Sequence, residues 1–203
     1  TILNAGTFSV IAHASGASDY ASANGILLNS GVNTMTVTNS GSLTVEAVTV
    51  NGGPAYANGL VVTGNGTGLP PGPDDVFTFT NDGGTILVRQ SQDGGDTWQH
   101  GVAVDVANAP NPSIINLIGN GDIYGDIEIA DTDNINVASG TTYFDGIINP
   151  SAIPGYDRTD RTTRVLDATA LDSGLSGPGT LTIDDGGNLV LADTRVHGDP
   201  TGF

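Results

Sequence analysis

The sequence predicts an all-β fold, and three observations carry that prediction. Apolar residues fall in short, β-branched runs bounded by glycine, asparagine or aspartate. Helix-forming residues are scarce: lysine is absent and glutamate occurs only at Glu46 and Glu128. A loose repeat of about 40 residues runs through the first half of the chain. Short runs with turn residues at both ends are the mark of many strands joined by tight corners. In chain order these runs are Leu43–Val50, Val76–Thr80, Thr85–Val88, Val102–Val106, Leu181–Ile183 and Leu189–Leu191.

The repeat has three copies. Ala23-Asn-Gly-Ile-Leu-Leu28 is followed by Met35-Thr-Val-Thr-Asn-Ser-Gly41. Ala57-Asn-Gly-Leu-Val-Val62 is followed by Val76-Phe-Thr-Phe-Thr-Asn-Asp-Gly83. Gln99-His-Gly-Val-Ala-Val104 is followed by Ile114-Ile-Asn-Leu-Ile-Gly-Asn-Gly121. A strand follows each closing glycine, Gly41, Gly83 and Gly121. A strand-built repeat of this length suits a propeller blade or two turns of a β-solenoid. Propeller blades carry aromatic punctuation, and here aromatics are 5% with Trp98 the single tryptophan. A parallel β-helix fits better, with turns of about 20 residues, aliphatic stacks inside and small residues at corners. About ten such coils are expected from 203 residues. Asn24 and Asn58 occupy equivalent places, as do Asn39 and Asn81, and stacked asparagines are expected to bond side chain to backbone between coils.

The second half keeps this texture with a looser register. Asp122–Ile129, Asn134–Val137 and Thr142–Ile148 read as successive faces, and Gly177–Asp193 restores the pattern. Two segments break it. Residues 66–75 hold three prolines in four positions, which a sheet ladder does not accept. Residues 149–164 include the run Asp157-Arg-Thr-Asp-Arg-Thr-Thr-Arg164. Both are expected to project from a single β-helical region, 1–203, rather than to divide domains. The abrupt Thr1 start and Phe203 stop lead to the expectation of a partial or processed chain.

Charge narrows the partners. Twenty-two acidic residues face five arginines, for a formal net charge of −17. Such a field repels phosphate backbones and anionic lipid heads, so no nucleic-acid partner is expected. No apolar run reaches the length of a membrane-spanning helix, so no direct membrane insertion of this segment is expected. The absence of cysteine removes disulfide scaffolds, zinc ribbons, iron–sulfur sites and thiol catalysis.

The combinations Thr38-Asn-Ser-Gly-Ser-Leu43, Asn120-Gly-Asp-Ile-Tyr-Gly-Asp-Ile127 and Gly177-Pro-Gly-Thr-Leu-Thr-Ile-Asp-Asp-Gly-Gly-Asn-Leu-Val190 resemble the passenger domains of bacterial autotransporters. The likeness extends from about Ile26 to Leu191. Its motifs are compositional and point to architecture more than activity. It implies a right-handed, secreted β-helix on a Gram-negative cell surface. Passengers of that family include adhesins, self-association proteins, proteases and esterases. The family's C-terminal membrane barrel and N-terminal signal are not in this sequence, which also leaves open a β-helix outside that secretion route.

Candidate chemistry is sparse. Polysaccharide-cleaving β-helices need converging aspartates with a nearby histidine and basic residues. Asp74-Asp75 and Asp184-Asp185 are paired aspartates, and Gln99-His100-Gly101 echoes a Gly-His-Gly signature. However, no Arg-Ile-Lys follows it, and the −17 charge repels a polyuronate. The triplet also sits on the repeated corner motif, which explains it structurally. His13, His100 and His197 are too far apart in a rod to share a site, and no Gly-x-Ser-x-Gly elbow occurs. Calcium is the ion that the acidic turns suit best. Its candidate ligands are Asp131, Asp133 and Asn134, with Asp93 and Asp96 as a second set; a solubilising turn is the simpler reading of both. Arg158, Arg161 and Arg164 are candidate interaction residues, because arginine pairs in forked geometry with carboxylates of an acidic neighbour. Trp98 and Tyr156 are candidates to stack on a sugar ring.

These features favour a non-enzymatic extracellular structural or adhesive surface protein. Its expected partners are further copies, in an oligomer, filament or lattice, or a host or neighbouring-cell surface or glycan. The alternative is a secreted carbohydrate-active enzyme on the same scaffold. A phage-type receptor-binding β-helix is the weaker alternative.

Overall fold

The computed structural model describes residues 1–16, 19–30, 34–64, 76–149 and 180–191. Among these the chain forms strands and no helix. The first passage runs through β1 (Ile2–Asn4), β2 (Thr7–Ala14) and β3 (Ala21–Ser30). The second takes β4 (Met35–Asn39), β5 (Ser42–Thr49) and β6 (Ala55–Gly64). The third takes β7 (Phe77–Asp82), β8 (Thr85–Ser91), a short added strand β9 (Gln99–His100) and β10 (Val102–Asn108). The fourth takes β11 (Ser113–Ile118), β12 (Gly121–Tyr124) and β13 (Asp126–Glu128). Then come β14 (Asn134–Val137) and β15 (Gly140–Asp145), and finally β16 (Thr180–Ile183) and β17 (Gly187–Leu191).

The chain visits three sheets in turn. The first sheet orders β1-β4-β7-β11-β14-β16, the second β17-β15-β12-β8-β5-β2, and the third β13-β10-β6-β3. Among the described residues every pairing between passages is parallel, and only β8–β9 is antiparallel. This is an all-β fold of parallel sheets, compatible with a β-solenoid and not with an antiparallel sandwich. No helix among the described residues is long and apolar enough to cross a membrane.

Side-chain alternation along each strand explains the core. In the second sheet Phe8, Leu43, Ile86, Ile123, Phe144 and Leu191 pair in succession across six strands. The inner four are at most 3% exposed, whereas Phe8 is 40% and Leu191 54% exposed. The first sheet stacks Ile2, Val37, Phe79, Ile115, Ile135 and Leu181 in the same way. The third stacks Ile26, Leu60, Val104 and Ile127, and Ile148 bridges to Ile127. The buried members of the three stacks belong to one apolar core.

The stacked asparagines do bond between passages, chiefly side chain to side chain rather than side chain to backbone as expected. Asn4 Nδ2 donates to Asn39 Oδ1 at 2.7 Å, Asn39 Nδ2 to Asn81 Oδ1 at 2.8 Å, and Asn81 Nδ2 to the Gly84 carbonyl at 2.8 Å. Beyond Asn81 the same register position passes to Leu117 and Val137. On the outside, Asn58 Nδ2 donates to Asn24 Oδ1 at 2.9 Å. The corner beside this ladder admits only glycine: a Cβ on Gly41 would collide with the Gly6 carbonyl, and one on Gly84 with Asn39.

The register corrects the sequence alignment in two places. Ser42 pairs with Thr85 and Thr85 with Asp122, so the closing glycines are Gly41, Gly84 and Gly121. Asn58 pairs with Val102, so the third copy of the corner motif is displaced by two residues and His100 is not its corner residue. Between passages the Asn4–Asn39, Asn39–Asn81 and Asn116–Asn136 contacts span 35, 42 and 20 residues. Only the last matches the expected 20-residue turn. Segment 66–75 and all but Asn149 of segment 149–164 lie outside the described residues, as do Asp74 and Asp75.

Candidate functional site

The inside of the molecule repeats, and the outside of the second sheet does not. After β8, where its neighbours turn directly toward the third sheet, residues 92–98 leave the sheet and β9 returns antiparallel on β8. The excursion is ordered by its own side chains. Ser91 Oγ donates to Asp93 Oδ1 at 2.7 Å and accepts from Gly95 N at 2.9 Å. Thr97 donates its N–H to Asp93 Oδ1 at 2.9 Å and its hydroxyl to Asp93 Oδ2 at 2.5 Å. Gly94 and Gly95 take left-handed backbone angles of 80° and 101°, a region that glycine enters at no steric cost.

This excursion delivers Trp98 and His100 to the outer face. Arg89, on β8, points outward beside Glu46 of β5, its direct cross-strand partner. Arg89 Nη2 lies 2.6 Å and Nε 2.7 Å from Glu46 Oε1. The guanidinium carbon sits 3.9 Å from the centre of the Trp98 ring. A planar cation is thus held by a carboxylate at its edge and a ring on its face, the geometry guanidinium favours.

His100 pairs with Arg89 across the hairpin. Its Nε2 lies 3.2 Å from Asp145 Oδ1 and its Nδ1 3.6 Å from Asp126 Oδ1. The Tyr124 ring meets the imidazole edge-to-face at 4.6 Å. Asp126 is fully buried and also accepts the Ile147 N–H at 3.1 Å. Asp145 Oδ1 is buried and takes no hydrogen bond, so its approach to His100 is a close contact without hydrogen-bond geometry. His100 therefore joins the third passage to aspartates of the fourth and fifth. The imidazole thus stands between two carboxylates. By sequence alone Gln99-His100-Gly101 falls on the repeated corner motif. Its aspartate partners are 26 and 45 residues downstream, a spacing visible only once the passage lengths are known.

The calcium candidates occupy two separate turns. Asp133 is buried, with Oδ1 accepting the Ser113 N–H at 2.8 Å and Oδ2 the Ala130 N–H at 2.7 Å. Burial pushes its carboxyl above the ordinary 3.8, against the lowering effect of the bonds from Ala130 and Ser113. Asp131 is exposed at the turn, and Asn134 opens β14. Asp93 serves its own loop, and Asp96 is exposed. Among the described residues no group of three or more histidine, aspartate or glutamate side chains is placed to hold a metal ion. His13 is exposed on β2, separated from β9 and His100 by β5 and β8. Asp184 and Asp185 are exposed at the corner between β16 and β17. Arg158, Arg161, Arg164, Tyr156 and His197 lie outside the described residues.

No family model, curated protein or solved structure matches the chain.

Proposed function

We propose that this chain is a non-enzymatic structural and adhesive element of an extracellular or bacterial outer surface, built as a right-handed parallel β-helix. The observation that carries the reading is the continuity of the ladders: the same inward positions stack apolar residues or asparagines through passage after passage. Stacking of this kind gives a stiff support whose outer faces are free to vary. Self-association into filaments or sheets belongs to this proposal. Electron microscopy of the purified protein, with calcium and with chelator, tests it. Ordered rods that associate into filaments or sheets are the expected result, and compact particles without elongation would overturn the reading.

A second reading, a polysaccharide-cleaving enzyme on the same scaffold, is favoured by His100 lying between Asp126 and Asp145. Incubation with a panel of neutral and acidic polysaccharides separates the two. Chain cleavage that disappears in Asp145→Asn would establish the enzyme and remove the first proposal.

A further inference from the structure

The Glu46–Arg89–Trp98 cluster shows how this outer face holds a guanidinium, and the same face offers a second place with matching chemistry. Asp122 of β12 and Tyr143 of β15 are direct cross-strand partners. Both point outward, since Ile123 and Phe144 beside them are buried in the core. Directly paired residues on one face stand side by side, within reach of a single ligand group. Tyr143 is 47% exposed. The pair lies in the interior of the second sheet, with β8 on one side and β17 on the other, so no sheet edge is involved. The chain has no lysine, and Arg89 is the only arginine among the described residues. That arginine is already taken by Glu46 and Trp98.

We propose that the Asp122–Tyr143 pair is a docking point for an arginine side chain of a partner polypeptide. The inference rests on the adhesive reading above and names the chemistry of its contact. Guanidinium fits better than ammonium, because it offers a planar fork to the carboxylate and a weakly hydrated face to the ring. A cationic polypeptide fits better than a glycan. The field of a chain with net charge −17 draws cations to it, repels acidic sugars and gives nothing to neutral ones.

The test is a fluorescence-anisotropy titration of the whole chain with a labelled peptide, Tyr-Asp-Arg-Thr-Asp-Arg-Thr-Thr-Arg-Val, the sequence of residues 156–165. Asp122→Asn and Tyr143→Thr should each weaken binding about three- to tenfold. Tyr143→Phe keeps the ring and should keep the affinity. Replacing the peptide's arginines by lysine should weaken binding, and replacing them by glutamine should abolish it. Asp131→Asn, at an exposed turn away from this face, should leave binding unchanged. Three results would overturn the proposal: no binding to the unmodified chain, an equal loss in Asp131→Asn, or displacement of the peptide by neutral oligosaccharides. If the peptide fails to bind while the purified protein still forms filaments, only this inference falls and the structural reading stands.

Discussion

The two faces of the second sheet are made by the same strands and obey opposite rules. Inward, Phe8, Leu43, Ile86, Ile123, Phe144 and Leu191 are interchangeable in kind, and each packs on the next. Outward, Ile11 is followed by Glu46 and then Arg89, with His100 folded back beside it. The inner face depends on repetition, because every passage must present the same shape to its neighbours. The outer face is released from that demand, so unique residues collect there: the single tryptophan, the only described arginine and the histidine between two aspartates. In a repetitive scaffold, departures from the repeat are where specific chemistry is to be sought.

The sharpest way to break this comparison is to cut the inner ladder at two places. Ile86→Ala removes a fully enclosed side chain and should cost about 2–5 kcal/mol. Phe8→Ala removes a larger side chain that is 40% exposed and should cost less than Ile86→Ala. Urea unfolding followed by circular dichroism measures both. Equal losses would mean that burial along the ladder does not set its energetics.

The asparagine ladder tests the same idea with polar groups. Asn39→Ala strands Asn81 Oδ1 and removes the acceptor of Asn4 Nδ2, both at a buried or half-buried corner. Leaving buried polar atoms unmade costs about 1–3 kcal/mol each, so a loss of about 2–4 kcal/mol is expected. Asn58→Ala, in the exposed pair with Asn24, should cost below about 1 kcal/mol. The chain itself shows a way out: the ladder position holds Leu117 and Val137 in later passages. Replacing Asn4, Asn39 and Asn81 together by leucine should therefore cost less than Asn39→Ala alone. The unfolding midpoint of the triple variant decides the point, and a larger loss would show that the corner needs the amides themselves.

How much of this was legible in the sequence follows from the two faces. Strand positions and the equivalence of Asn39 with Asn81 could be read directly, because inner-face repetition leaves a local pattern. Passage length could not, because corners such as residues 50–54 and the excursion 92–98 add residues without disturbing the stack. The third corner motif was misaligned for this reason: Gln99-His100-Gly101 resembles Ala57-Asn58-Gly59, yet Gly101 stands opposite Ala57, whose carbonyl a Cβ there would strike. The His100–Asp126–Asp145 contact was hidden for the same reason. It joins three passages of unequal length, and no fixed spacing announces it. Asp131 and Asp133 look alike as acidic turn residues, but only Asp133 turns inside, where the Ser113 and Ala130 amides donate to its carboxylate, while Asp131 stays exposed at the turn.

Asp133 is also where the inner rule is broken by a charge, and it gives the smallest expected effect. Its carboxylate is desolvated but accepts two backbone N–H bonds, which oppose the effect of burial without overcoming it. The net direction is upward from 3.8. A carboxyl that is harder to ionise in the folded chain binds its proton more tightly there than in the unfolded chain. Its contribution is complete below the unfolded value near 3.8 and is lost as pH rises through the higher folded value. Wild-type stability relative to Asp133→Asn should therefore fall across that acidic window and stay level above it. Carboxyl-carbon NMR titration should place the Asp133 midpoint above 3.8. A midpoint below 3.8 would mean that the two amide bonds outweigh burial, and the stability difference would then rise with pH instead.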